Sequence, residues 1–391
     1  MSGAVLGQLT LGYQLVWNRS REPAAVLLFI ERPIPVAVEA PQLLVALARD
    51  WSAQSPKMIL CVQPLALLLG LLQNATPNGP WIAVQDAQLD EPTLAEGVRD
   101  AHARGLTLVW RGAAPRAPAE FSAMFALAVV AHGPSMHAGA DQIVEAVPTL
   151  SMVQHYLDQQ GVLGVAGWPL QDQLQERGRR KIEPGKRGID KLIEETDADA
   201  PLDVIEQTLA EEPMLCFRFL VHMNSAARGL RGEVESLRHG LMLLGLSNFK
   251  RWLLEQLPMA SSEPDLQPIR AAVVVRARLT AQLLDTGEDD ALRSELYLCG
   301  LLSQIDLLMG EPLDELLQRI PLSARVTAAI RSKSGPYSPY LELAAALEYP
   351  HMRSAAALCA AHEIDTDEVN RALLRVLAYP QYQPPQSRFQ R

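Results

Sequence analysis

The stretch EEPMLCFRFLVHMNSAARGL, Glu211–Leu230, sets the architecture of the second half of this 391-residue chain. Leu215, Phe219 and Met223 recur every fourth residue, which puts them on one face of a helix. Pro213 stands where that helix begins, a place that tolerates proline because the first N–H groups have no intrahelical partner. Working outward, Leu202, Ile205 and Leu209 mark a helix before it. Val234, Leu237, Leu241 and Leu244 mark one after it, and Gly245 is a natural stop. Helical spacing then continues to Leu377 with no alternating, strand-like run and no long repeat.

The first ~170 residues are written differently. Short apolar runs, LGYQLVW, AVLLFIE, KMILCVQ, WIAVQD, LTLVWRG and FALAVVAHG, alternate with helical stretches such as PQLLVALARDW and EPTLAEGVRDAHARG. Continuous apolar strands between helices predict a parallel sheet covered on both faces. Open sheet and closed barrel are not separated by this pattern, and a full (β/α)₈ barrel takes about 250 residues, so a barrel here has to be trimmed. Between the halves, QDQLQERGRRKIEPGKRGID loses the apolar periodicity. Its Arg177, Arg179, Arg180, Lys181, Lys186 and Arg187 could meet an anion, but a solvated interdomain linker is the expected reading. The predicted organisation is an α/β domain over 1–175, a linker over 176–186, a helical domain over 187–380, and a flexible Pro- and Gln-rich tail over 381–391.

Bulk composition narrows the function. Apolar residues make up 48% and charged residues 20%, which is folded protein rather than disorder. With a net charge of -10, the chain is repelled by nucleic-acid backbones and anionic membranes, so nucleic acid is not an expected partner. No apolar run is long enough to span a bilayer, and MSGAVLGQLTLGYQL lacks the basic start of a signal peptide. Cys61, Cys216, Cys299 and Cys359 stand apart in apolar runs, which predicts buried, reduced thiols of a cytoplasmic protein.

The helical half resembles the HDOD domain, an all-helical relative of the HD phosphohydrolases. Glu212 and Pro213 stand for the Asp-Pro of the family's DPxLxxKLLxxxNSAxxG, Asn224-Ser225-Ala226 for its NSA, and VESLRHGLMLLGL is similar to its SIxxAIxxLGL. An α/β half followed by HDOD resembles the EAL-HDOD (YuxH-like) signalling family. That resemblance implies a trimmed, modified TIM barrel of the kind that hydrolyses cyclic di-GMP. LGYQLVW resembles the first EAL strand, with Gln14 at the glutamate. ILCVQP puts Cys61 at a metal-binding asparagine, WIAVQD puts Ala83 at a glutamate, and LTLVWRG puts Trp110 and Arg111 at the paired aspartates. VEAVPTLSMVQHYLDQQG keeps Glu145 of the late VET segment, and GVAGWPL puts Ala166 at a glutamine.

The chemistry implied by both folds is absent from these positions. Divalent cations need anionic oxygen ligands to activate water and neutralise a phosphodiester. An amide, a soft thiol, an indole and a guanidinium do not supply them, and Glu145 alone cannot. In GLLSQIDLLMG, Ser303-Gln304 stands where HD enzymes carry His-Asp, and Asp306 is read as a solvated or capping residue. His132, His137 and His239 form no ligand set by spacing. The expectation is therefore a bacterial, catalytically inactive signalling protein with no metal, cofactor or catalytic residue. It acts through its HDOD domain on other signalling proteins in cyclic-di-GMP-linked, motility or stress regulation, with self-association left open. Arg251 and Trp252 in SNFKRWLLEQL are candidate partner anchors, with core the leading reading for Trp252. Two alternatives stand beside it: a non-hydrolysing cyclic di-GMP receptor using Arg111 as phosphate donor, and a phosphodiesterase with relocated ligands.

Overall fold

The computed structural model describes residues 5–31, 38–133, 137–178, 180–226, 234, 236–284 and 289–378. The chain divides into two compact units, Met1–Gln173 together with Ala345–Arg391, and Leu174–Ala344. The first unit is built on a closed barrel of eight strands in sequence order: β1 Thr10–Trp17, β2 Pro23–Glu31, β3 Lys57–Val62, β4 Trp81–Gln85, β5 Leu108–Gly112, β6 Phe125–Ala131, β7 Gln142–Glu145 and β8 Gly164–Ala166. β2 to β8 run parallel, and β1 runs antiparallel to both of its neighbours.

That one reversal explains part of the trimming. β1 and β2 form a hairpin in which Asn18 caps the turn, accepting from the N–H groups of Ser20 and Glu22 at 2.9 and 3.0 Å. A hairpin needs no crossover helix. Helices Ala40–Asp50, Leu65–Asn74 and Pro92–Ala103 follow β2, β3 and β4. Only a short 3₁₀ turn, Ser122–Met124, lies between β5 and β6. Six of the strands are visible as apolar runs in the sequence. β7 and β8 are too short to show any alternation, and they close the ring.

The interior is packed by alternate residues, among them Val16, Leu27, Phe29, Ile59, Val109, Val129 and Ile143. The opposite faces pack under the helices, where Trp110 lies buried with Val130, Val144 and Leu157. At the end away from the parallel strands' C-termini, Arg21 is almost fully buried and grips Asp158 through two bonds of 2.7 Å.

The barrel unit is discontinuous in sequence. Residues 345–378, expected in the helical domain, group with the barrel. Helix Thr366–Ala378 packs against the 3₁₀ turn Val5–Gln8 and against β1. Buried Asn370 donates to the carbonyls of Leu6 and Leu9, both at 2.8 Å. The amphipathic spacing of this helix is the same whether its apolar face meets helices or a barrel, so periodicity could not assign it. The tail 381–391 lies outside the described residues.

Among its described residues the second unit is helical apart from connecting segments and one isolated bridge between Gly185 and Ser261. Pro213–Ala226 carries Leu215, Phe219 and Met223 into the core as the spacing predicts. Phe219, Phe249 and Trp252 pack ring on ring, with centroids 5.4–5.9 Å apart. The stretch read as a solvated linker is instead strapped onto this unit. Ile182 is fully buried and its N–H reaches Leu308 O at 2.6 Å, while Glu183 pairs with Arg218 at 3.3 Å. Lys186 and Ser261 exchange backbone contact at 3.0 Å, and Arg177 is held by Glu263 at 3.1 Å. One apolar residue among many charges was enough to anchor it, and Arg177 and Glu183 find partners of opposite sign. Arg179 lies outside the described residues.

Beneath this strap, Glu212 accepts the Gly185 N–H at 3.2 Å and faces the buried Arg270. Burial pushes the Glu212 carboxyl up from 4.5 to about 7; Glu211 adds to the rise, and Arg270 and the Gly185 amide oppose it. The folded state then holds a proton that the unfolded chain releases, so the contribution of Glu212 to stability is fully present below pH 4.5 and is lost as pH rises through about 7. We expect the urea midpoint of the helical unit to fall across that window, and Glu212→Gln to flatten the slope. A wild-type midpoint that is unchanged or rises between pH about 4.5 and about 8 would refute this.

Candidate functional site

In a barrel with parallel strands, the loops after the strands' C-terminal ends converge on one mouth, the place where such folds build binding sites. The residues aligned above with a phosphodiesterase site are gathered here, with one exception. Register places Phe29 beside Cys61, Cys61 beside Ala83, and Glu145 beside Ala166. Alternation along β5 turns Arg111 inward and Trp110 outward, where its indole N–H donates to Ala114 O at 3.0 Å. Trp110 therefore takes no part in the mouth, a correction to the paired-aspartate alignment.

Arg111 and Glu145 form the only charged pair of this inward layer among the described residues. Two guanidinium nitrogens reach the same carboxylate oxygen, at 3.0 and 3.3 Å. Both side chains are largely buried, with 11% and 15% of their surface exposed. The guanidinium also lies 5.1 Å from the centre of the Phe29 ring. Cys61 is buried beside this pair, and burial pushes its thiol up to about 12 against the pull of Arg111. Gln14 reaches in from β1, pressed so close to Gly167 that a Cβ there would come within 2.4 Å of the amide nitrogen; the glycine, at φ 76°, permits both the turn and the approach. Its amide oxygen is buried without a hydrogen bond.

This donor set does not fit a divalent cation. A thiol held protonated, an amide, and one carboxylate already bound by arginine lack the several anionic oxygens that Mg²⁺ or Mn²⁺ requires. Among the described residues, no group of three or more His, Cys, Asp and Glu is placed to hold a metal.

Three mouth residues were missed in the sequence. Tyr349 stacks on Phe29 with ring centres 3.9 Å apart and planes 12° from parallel, and its hydroxyl lies on the Arg111 side of the mouth. Met352 is buried inside the barrel, so near Gly12 that a Cβ on the glycine would stand 2.6 Å from its own. Phe29 itself looked like any apolar strand residue. No sequence signal connects residues so far apart in the chain.

The helical unit holds its own remnant. Ser303 donates to Gly300 O at 2.7 Å, a local bond that ends its helix. Gln304 is buried with its amide nitrogen unbonded. Asp306 is half-buried rather than solvated, and burial raises its carboxyl above the usual range. Asn224 has a structural role: its side chain bonds Leu220 O at 2.9 Å and both backbone groups of Val234 at 3.0 Å. Trp252 is 4% exposed inside the aromatic core, which removes it as a partner anchor. Arg251 points outward, bonded to Asn248 at 2.8 Å.

The Arg111–Glu145 pair yields a test. Deleting one member strands the other charge in a dry mouth, at a cost of about 3–5 kcal/mol, whereas replacing both with apolar groups of similar size is close to neutral. Denaturant titration should therefore find Glu145→Ala far less stable than Arg111→Met with Glu145→Leu. Equal losses in the two would show that the pair is hydrated and weak.

Comparison with known proteins follows the same division. Residues 187–327 match the HDOD domain family. The chain is similar to the uncharacterised protein YuxH of Bacillus subtilis, 24% identical over 48% of this chain and 46% of that protein. It is also similar to the cyclic di-GMP phosphodiesterase CdgJ of Vibrio cholerae, 20% identical over 45% of this chain and 41% of that one. The matched region thus spans less than half the length of either relative. The crystal structure of the MmoQ response regulator from Methylococcus capsulatus superposes on 49% of this chain and 98% of its own, at 15% identity and a TM-score of 0.39. No helix among the described residues is long and apolar enough to cross a membrane. Residues 187–327, the greater part of the helical unit, therefore carry an HDOD domain.

Proposed function

We propose that this chain is a bacterial signalling protein without a catalytic site, acting in the cytoplasm by protein–protein interaction through its HDOD domain, within cyclic-di-GMP-linked, motility or stress regulation. The barrel is then a trimmed TIM-type barrel of EAL ancestry that has lost its metals. The observation that carries this reading is the Arg111–Glu145 pair: a cation occupies the inward position where a phosphodiesterase would need an anion, and it consumes the one carboxylate left. The naming of CdgJ as a cyclic di-GMP phosphodiesterase supports the signalling context.

A receptor reading, with Arg111 gripping a phosphate, has less support, because that guanidinium is already engaged by Glu145. On the helical unit, side chains that favour contact are left in water. Leu254 is 48% exposed one turn from Arg251, and Met242 and Leu243, at 60% and 54%, stand on the neighbouring helix Leu237–Leu244. An arginine framed by exposed aliphatic groups is the composition expected of a docking patch.

Two measurements test the proposal. Incubated with cyclic di-GMP and Mg²⁺ or Mn²⁺, the full chain should release no linear dinucleotide. Turnover that disappears in Glu145→Gln would overturn the inactive reading. In pull-downs from the native organism, Arg251→Glu with Leu254→Glu should lose its partners at unchanged stability, since exposed positions rarely matter to folding. Partners retained by that variant would move the interface elsewhere.

A further inference from the structure

The barrel mouth is filled by a segment of its own chain. Leaving helix Ser338–Ala346, the backbone runs beside β1: Leu347 O accepts the Tyr13 N–H at 3.1 Å, and the Tyr349 N–H donates to Tyr13 O at 3.0 Å. Tyr349 then lies flat on Phe29, Met352 enters the barrel opposite Gly12, and helix Arg353–Ala361 begins. What they cover is polar for a core: an ion pair, a thiol, and an amide oxygen without a donor.

We propose that residues 347–352 are a displaceable plug, a tethered occupant that closes the barrel mouth to outside molecules and leaves it as a unit. The fastening differs from that of the strands. Each parallel strand is laddered on both sides, whereas the plug reaches β1 through a single bridge at Tyr13 and Glu348. Beyond that bridge, Tyr349 stacks on Phe29 and Met352 is buried in the barrel. Such modest contacts can open without unfolding the barrel. The layer beneath is also unlike a permanent core. A buried ion pair gains little over apolar packing, and an unsatisfied amide costs stability, so both are better explained by a surface that is exposed part of the time. The proposal is independent of whether the chain is catalytic, and it names a closing device rather than a ligand.

Cys61 reports on the plug. It sits beside Phe29 in the register, below Tyr349, and burial keeps its thiol unreactive. The experiment is iodoacetamide labelling of the full-length native protein, with each cysteine quantified by mass spectrometry. In Tyr349→Ala, Cys61 should label at least about tenfold faster than in the wild type, while Cys216 and Cys299 of the helical unit keep their rates. Added 4-methylphenol, the tyrosine side chain as a free molecule, should slow Cys61 again by refilling the space. Tyr349→Leu keeps an apolar group in place and loses the ring stack on Phe29, so it folds even where the alanine variant does not; Cys61 should label several-fold faster in it too, as expected for loss of an aromatic pair. A wild-type Cys61 rate in the leucine variant, or equal acceleration of all four cysteines in either variant, would show the segment to be a fixed part of the fold and end the proposal.

Discussion

A sheet closed on itself has an inside that must be filled. Eight strands leave room for side chains and little else, and each strand contributes only the alternate residues that face inward. In this barrel the strands are short, β8 only Gly164–Ala166, and the inward positions include alanines at 25, 83 and 166. The strands alone therefore do not supply enough volume at the mouth. The deficit is made up from elsewhere in the chain, by Tyr349 and Met352. The discontinuity of the first unit, the close approach at Gly12 and the stacking on Phe29 all follow from that need.

The same constraint shapes the electrostatics. An arginine on an inward strand position cannot reach bulk water without leaving the barrel, so it must be answered in place. Glu145 answers the charge, and the Phe29 ring lies against the planar group. In the helical unit Glu212 and Arg270 face the same problem, and there the carboxyl yields by holding its proton more tightly. The two units thus show two responses to a buried charge, pairing in one and a raised carboxyl in the other.

The sequence was legible wherever burial repeats at short range. Helix Pro213–Ala226 and the six longer strands are written in local periodicity, and Gln14, Cys61, Arg111 and Glu145 were singled out by the resemblance to EAL strands. What could not be read has a common physical cause, which is contact across long sequence separation. Nothing in Tyr349 announces Phe29. The amphipathic face of Thr366–Ala378 does not name its partner, and Arg177 and Glu183 looked solvated because their counterions, Glu263 and Arg218, lie far along the chain. Trp110 was misplaced for a simpler reason: alignment by motif ignores which way a strand residue points, and neighbours on a strand point oppositely.

The return of residues 345–378 to the barrel has a consequence for biosynthesis. A chain emerges from the ribosome in order, and domains that are continuous in sequence can fold as they appear. This barrel cannot be completed when Gln173 emerges, because its missing pieces lie beyond the entire helical unit. At about 5–20 residues per second, the wait is on the order of 10–40 seconds. Throughout that interval the mouth stands open, with Phe29, Cys61 and Arg111 uncovered, while the helical unit is being made. A nascent barrel in that state keeps apolar surface uncovered until residues 345–378 arrive to complete it.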